Sequence, residues 1–313
     1  VVPRKNLRLL AGRPLIHHCL KTALSVAECT TVVTTEDEEI ITVATQLGPH
    51  IVKRPTSLSE DNITLDDVVV HAVIATEEVL GQQFDKIITI QPTSPFVTPD
   101  TIQKAIIALD DSDTAMSVCD DRHLRWTESE GNTIPMFNER LNRQWMDPCW
   151  VENGGVIACR REMIGTGSRI GKNVTLLKVD AKEGHDIDTH LDWALAEALI
   201  TTPKVAFRII GDEKRGLGHA FRALTLADRL ASKPLFITEV GSELARDFIK
   251  SRHHHVIHSP TLFGDGPETI LDALEEHEID VIVNDVLDTT KEEVSTLTSA
   301  GYLVVNIEDM GPG

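Results

Sequence analysis

Aromatic side chains are scarce in this chain: 4% of 313 residues, with a single tyrosine. Cysteine is scarce as well. The five present, Cys19, Cys29, Cys119, Cys149 and Cys159, are odd in number, form no CxxC pair, and leave the chain after position 159 without any. That excludes a paired disulfide frame or a cysteine zinc site and fits a reducing compartment. No apolar run approaches the length of a membrane span, and no signal-peptide pattern opens the chain; a cytoplasmic setting is the expectation. Cations are in deficit, with 30 Lys and Arg against 49 Asp and Glu and a formal net charge of -19. This balance argues against nucleic-acid or anionic-membrane partners. A polyanionic substrate would need local Lys or Arg, or a divalent cation, to be held. Two phosphate-binding signatures are also missing. There is no Walker A, and Gly216-x-Gly218-His219 fails the dinucleotide fingerprint because Phe221 stands at its third glycine.

What is present is an ordinary globular composition, 41% hydrophobic and 25% charged, on a chain long enough for about two domains. The organising stretch is Lys86–Phe96. Ile87 to Gln91 reads as a strand buried on both faces, and Pro92 and Pro95 stop it abruptly in a rigid loop. In an open α/β sheet such a loop lies where ligands bind. Helical faces at 14–27, 37–47, 64–80 and 99–109 alternate with strands at 31–34, 50–53, 87–91 and 114–118, predicting a mostly parallel, doubly wound sheet. The segment 120–150 breaks this rhythm with Trp126, Trp145 and Trp150 among many charges. It reads as a lid or subunit contact, or equally as a surface arm with its aromatics tucked under. A strand returns at 153–158, and residues 201–204 form a linker. Five more strands (205–210, 235–239, 255–258, 280–285, 302–307) then alternate with four helices (219–231, 242–252, 267–277, 291–300). They predict a second Rossmann-like unit over 205–313. The chain begins at Val1 without methionine and stops at Gly313 just after a strand; both ends read as cut.

Several constellations could carry chemistry. Asp186-x-Asp188, with Asp192 beyond, places two carboxylates at a turn into a helix, where they could share a hard cation such as Mg2+. The alternative is helix capping by Asp188 or Thr189, with Thr189-x-x-Asp192 as a capping box, which leaves Asp186 unexplained. Arg4, Lys5 and Arg8 form a basic cluster, and Arg54 follows a strand where its guanidinium could fork onto phosphate. His219, beside glycines at a helix start, is a candidate general base.

Read together, these motifs resemble the cytidylyltransferases that activate sialic acid and related nonulosonic acids. The resemblance covers about residues 1–200. It rests on Pro3-x-Lys5-Asn6-Leu7, Gly12-x-Pro14-Leu15-Ile16, Arg54-Pro55-x-x-Leu58-x-x-Asp61, Gln91-Pro-Thr-Ser-Pro95, Asn153-Gly154, and Asp186-Ile-Asp188-Thr189-x-x-Asp192-Trp193. It implies a nucleotidyltransferase (glycosyltransferase-A-like) sheet whose first strand and basic, glycine-rich phosphate loop would lie before Pro3, outside this chain. It also implies attack of a sugar's anomeric hydroxyl on the α-phosphate of CTP, releasing pyrophosphate. In that reaction Asp186 and Asp188 hold Mg2+ and Lys5 faces the triphosphate. Asn6 and Arg54 face the nucleotide, and Gln91 and Ser94 the nine-carbon acid sugar. Asn153 lines the site, and the arm at 120–150 pairs the protein as a homodimer. Residues 205–313 resemble the amino-terminal half of a sugar-nucleotide hydrolase of the pseudaminic acid pathway, which is glycosyltransferase-B-like. Arg208, Gly211-Asp212, Gly216-x-Gly218-His219 and Arg222 carry that likeness, with His219 at the catalytic histidine. Asn284-Asp285-Val286 departs from that family's aspartate-aromatic pattern. Two other readings stay open. One is a metal-dependent glycosyltransferase using Asp186-x-Asp188 as a DxD; the other is a nucleotide-binding fragment without turnover.

Overall fold

The computed structural model describes residues 2–60, 62–259 and 269–307. Asp61 and Pro267, which the motifs above include, lie outside the described residues. The chain divides into two units, Val1–Leu199 and Ile200–Gly313.

The first unit opens with a short 3-10 turn at Lys5–Leu7, a small hairpin of β1 (Leu9–Leu10) and β2 (Arg13–Pro14), and helix α1 (Leu15–Ser25). Strand β3 (Val32–Thr35), helix α2 (Glu38–Thr45) and strand β4 (His50–Lys53) follow, with β3 and β4 paired in parallel. Helix α3 (Leu65–Leu80) is bounded by local chemistry. The Thr64 hydroxyl accepts from Asp67 N at its start, and Gly81 closes it at φ 66°. Next come β5 (Lys86–Ile90), α4 (Pro99–Ala108), β6 (Thr114–Asp120), the hairpin β7 (Trp126–Ser129) and β8 (Asn132–Pro135), β9 (Trp150–Arg160), β10 (Val174–Lys178) and α5 (His190–Thr201).

The main sheet has the order β10-β6-β9-β5 and is mixed rather than mostly parallel. Strand β9 runs antiparallel to both β5 and β6. The reason lies in the connection: between β6 and β9 the chain makes a hairpin arm instead of a crossover helix, so it re-enters the sheet reversed. The expected single sheet is present as two pieces. Among the described residues β3 pairs only with β4, and β5 only with β9. Strand β5 is consequently an edge strand, half-buried at each position rather than buried on both faces. Strand β10, which the sequence reading did not anticipate, pairs in parallel with β6. The core of this unit joins Val97, Ile102, Ala105 and Leu109 around α4 to Ala115 on β6 and Val156 and Ala158 on β9.

The second unit contains β11 (Val205–Ile209), α6 (Gly218–Ala227), β12 (Leu235–Glu239), α7 (Glu243–Lys250), β13 (Val256–Ser259), α8 (Ile270–Glu276), β14 (Val281–Asp285), α9 (Lys291–Ser299) and β15 (Leu303–Asn306). Its sheet is wholly parallel in the order β13-β12-β11-β14-β15. Both faces are covered, as a parallel sheet requires. Val205, Phe207 and Ile209 pack against Ala220, Ala223 and Ile249 on one face, and Ala206, Ile237 and Ile282 against Ile270, Leu274 and Leu297 on the other. Because the order reverses between β11 and β14, the carboxyl ends of those two strands border the crevice where such sheets take ligands.

Candidate active site

The two aspartates of the first unit sit on the loop that enters α5, and that loop is pinned to the end of β5. Ile187 N donates to Thr93 O at 2.9 Å, which sets the Asp186–Asp188 segment against the Pro92-Thr93-Ser94 turn. Ile187 is fully buried and anchors the segment between the two carboxylates. The alternation in Asp186-Ile187-Asp188 therefore has a physical purpose, with the apolar residue inward and the carboxylates flanking it.

The two carboxylates differ. Asp186 is half-buried, and its Oδ1 is buried without any hydrogen-bond partner. Burial pushes its carboxyl above the usual range and the neighbouring Asp188 charge adds to that, against the lowering effects of the Thr93 hydroxyl and Lys5. Asp188 is exposed, and its Oδ1 accepts from Lys5 Nζ at 3.0 Å; Lys5 also donates to Ile187 O at 2.7 Å. The site thus brings together one cation and two carboxylates, drawn from Lys5 and from residues some 180 positions later. Asp192 does not join them. Its Oδ2 accepts from the backbone N of Asp188 and Thr189 and from the Thr189 hydroxyl, while its own N donates to Thr189 Oγ1. The capping alternative is realised in Thr189 and Asp192, and Asp186 and Asp188 remain free of it.

An orphaned buried carboxylate oxygen beside a second carboxylate suits a hard divalent cation. Among the described residues no group of three or more His, Cys, Asp or Glu could hold a metal. Two protein oxygens are nonetheless in keeping with Mg2+, which retains water and phosphate in its shell.

The raised Asp186 carboxyl also sets a pH dependence of stability. A group whose folded value lies above its unfolded one binds its proton more tightly when folded. Its cost to the fold is absent below the ordinary aspartate value and grows as pH rises through the raised value. Asp186→Asn should therefore raise the melting temperature of the metal-free protein at neutral pH. The gain should vanish as pH falls toward the ordinary aspartate range, as followed by thermal unfolding at several pH values.

The other sequence candidates fall into three places. Gln91, at the end of β5, packs on Gly154: a Cβ added there would stand 3.0 Å from Gln91 Nε2, and the φ of 68° is one that glycine tolerates best. Asn153 Oδ1 accepts from Ser117 Oγ at 2.6 Å and from Gly155 N at 3.0 Å. Ser94 is only 1% exposed and directs its hydroxyl to Asn153 O at 3.4 Å. The serine is therefore part of the turn's internal bracing and does not present its hydroxyl to a sugar. Arg54 Nε is taken by Glu36 Oε2 at 2.5 Å and Ser59 Oγ at 3.0 Å, and among the described residues no hydrogen bond or ion pair joins it to Lys5 or Asp188. Asn6 follows Lys5 in the same 3-10 turn and makes no side-chain hydrogen bond among the described residues.

Three residues near the site escaped the sequence reading. Thr93 is bonded to the aspartate loop through its carbonyl, and its hydroxyl acts to lower the Asp186 carboxyl. Ser117 sits at a register shift in β6, which aims it at Asn153. Gly184 packs so tightly that an added Cβ would lie 1.9 Å from Cys119 Sγ. Thr93 was the one visible in advance, since it lies inside the Pro-Thr-Ser turn.

A family model described as Cytidylyltransferase matches residues 2–133. A CMP-N,N'-diacetyllegionaminic acid synthase of Legionella pneumophila is 33% identical over 217 residues, covering 64% of this chain and 90% of that protein. The chain belongs to the cytidylyltransferase family. This cytidylyltransferase is also 32% identical over 206 residues to N-acylneuraminate cytidylyltransferase A of Danio rerio. That match covers 63% of the chain and 47% of the fish protein, so the chain spans about half the length of that relative. A solved structure titled as a CMP:2-keto-3-deoxy-manno-octonic acid synthetase complexed with CTP covers 64% of this chain and 92% of its own, at 17% identity and a TM-score of 0.47. Among the described residues of the cytidylyltransferase, no helix is long and apolar enough to cross a membrane.

Proposed function

We propose that this cytidylyltransferase couples CTP to a sialic-acid-type nonulosonic acid, giving a CMP-sugar and pyrophosphate. The observation that carries this reading is the buried, unpartnered Asp186 Oδ1 beside Asp188 and Lys5, on a loop bonded to the Pro-Thr-Ser turn. The sugar class is drawn from the two relatives, one a legionaminic acid synthase and the other an N-acylneuraminate enzyme. Asp186 and Asp188 would hold Mg2+, which when bound supplies charge neutralisation along the triphosphate. Lys5 would exchange Asp188 for a phosphate oxygen, a charge-assisted bond that favours the anionic nucleotide in an otherwise acidic protein. Asn6 would accompany Lys5 at the nucleotide, and Gln91 would offer its amide to the acid sugar at the end of β5. Phosphoryl transfer of this kind asks the protein mainly for position and charge, and Ile187 fixes both here, its N donating to Thr93 O and its O accepting from Lys5 Nζ.

The arm supports self-association. Trp126, Ile134, Met136 and Trp145 are all exposed large apolar side chains on or beside the β7–β8 hairpin, a surface suited to a second copy of the chain. For the second unit the reading is a sugar-nucleotide hydrolase-type domain, supported by His219 at the start of α6.

A nucleotide panel tests the main reading. With sialic, legionaminic or pseudaminic acid, pyrophosphate should be released from CTP and not from UTP, and only with Mg2+ present. Consumption of a nucleotide sugar with CTP untouched would favour the DxD glycosyltransferase instead. Calorimetric binding of CTP without turnover of any of the three acids would favour a binding fragment.

A further inference from the structure

Lys5 sits on a turn that has little to hold it from within. The 3-10 turn Lys5–Leu7 is three residues long, fully buries none of them, and begins at Arg4 with φ 50° and no side-chain cap. So short a turn does not stand alone. The hairpin that follows is no firmer. Its two-residue loop puts Ala11 at φ 47° and Gly12 at φ 77°, between the paired Leu10 and Arg13. A loop of this length calls for such values, but alanine, unlike asparagine or glycine, adopts the first of them at a cost. An outside contact has to maintain it.

That contact comes from α5. Both carboxylate oxygens of Glu197 accept from Ala11 N, each at 3.1 Å. One turn earlier on the helix, the buried Trp193 carries the Arg8 guanidinium 5.0 Å from its ring centroid. Just before the helix, Ile187 O and Asp188 Oδ1 take Lys5 Nζ. Lys5, Arg8 and Ala11 are thus each held further along one element, and the entry loop of that element carries Asp186 and Asp188. The hairpin is secured to α1 separately. Leu15 N donates to Arg8 O at 3.0 Å, and His18 Nε2 donates to Leu10 O at 3.0 Å. Loss of the Glu197 contact therefore shifts the Lys5 turn without detaching the hairpin from the fold. When Lys5 exchanges Asp188 for a phosphate oxygen it gives up part of its own anchor, and the contacts from Trp193 and Glu197 remain to place it.

We propose that Glu197 is a positioning residue of the cytidylyltransferase site, assisted by Trp193 through Arg8. It acts on CTP through Lys5 and not by direct contact, an inference that rests on the reading in which Lys5 meets the triphosphate. Helix α5 then has two tasks. Its entry loop presents the carboxylates for the cation, and its Trp193–Glu197 face sets how far the Lys5 ammonium stands from them. With both groups hung from one helix, cation and ammonium keep a fixed spacing, which two charges acting on one triphosphate require. A contact that only stabilised the fold would act on CTP equally whether or not position 5 carried a lysine.

A double-mutant cycle on the full chain tests this, read by calorimetric titration with CTP and Mg2+ and by pyrophosphate release. Glu197→Met keeps the stem and removes both acceptors. It should weaken CTP binding and raise KM for CTP about tenfold, with kcat at saturating CTP and KM for the acid sugar little changed. Glu197→Gln keeps one oxygen to accept from Ala11 N and should restore binding to within about twofold of the parent. In the Lys5→Met background, adding Glu197→Met should cost no more than about a further twofold. Arg8→Gln, at an exposed position, should show the same dependence on Lys5 at smaller amplitude, and it serves if Glu197→Met does not fold. No loss in the parent, equal losses with and without Lys5, or no rescue by glutamine would overturn the positioning role while leaving the CTP site in place. A CTP affinity unmoved by Lys5→Met alone would instead overturn the Lys5 reading and this inference with it.

Discussion

Asp188→Ala is expected to lower turnover of CTP by about a thousandfold or more, equivalent to about 4 kcal/mol of transition-state stabilisation, the scale of a bound metal's contribution. The variant should fold normally. Asp188 is exposed, its backbone N keeps its bond to Asp192, and α5 is capped by Thr189 and Asp192 without help from the Asp188 side chain. The loss should appear in kcat and kcat/KM together, because the carboxylate acts where charge develops on the phosphates. Steady-state pyrophosphate release, checked against an unchanged circular dichroism spectrum, measures it. Near-normal turnover would mean that Asp186 and Asp188 do not hold the cation.

Lys5→Met should have the second largest effect, and it acts in two directions. In the free protein Lys5 Nζ is engaged by Ile187 O and Asp188 Oδ1, and its side chain is only 19% exposed. Methionine keeps most of the stem's packing and removes the charge. Losing a charge-assisted bond to the triphosphate should weaken CTP binding by about ten- to a hundredfold, from about 1.5–3 kcal/mol. The same change frees Asp188 from its ion pair, so Mn2+ should bind more tightly to the nucleotide-free variant than to the parent. Calorimetric titration with CTP, and separately with Mn2+ alone, reads both. A variant weakened for CTP and for Mn2+ alike would show that Lys5 supports the loop mechanically and is not a charge that the nucleotide displaces.

How legible this protein was in its sequence differs from place to place, for physical reasons. The two-aspartate loop was readable because Ile187 between the carboxylates has one plausible direction, inward, and because Asp192 could be assigned to capping by its spacing from Thr189. The alternation of strand and helix in the second unit was readable because its central strands β11 and β12 are buried almost throughout and so form largely apolar runs. The direction of β9 was not readable. Strand sequence carries no mark of parallel or antiparallel pairing; that is decided by the hairpin arm before it, whose exposed residues show no period. Strand β10 was missed because Val174–Lys178 is short and alternates in burial only weakly. Ser94 and Arg54 were given ligand roles by the family resemblance, to which Arg54 added its position after a strand. Their partners, Asn153 O and Glu36, depend on backbone positions that residue types do not reveal. Asp285 was singled out only as a departure from a pattern, yet it is the buried partner that gives His219 its orientation.

Binding of Mn2+ in the presence of CTP tests the central claim most directly, since it asks whether the carboxylate pair grips a cation without requiring turnover. The expected result is one CTP-dependent Mn2+ site per chain, followed by electron paramagnetic resonance or calorimetry, that is lost in Asp186→Asn and in Asp188→Asn. Equal Mn2+ affinity in the parent and both variants would contradict the account, because the cation would then be held by the nucleotide alone.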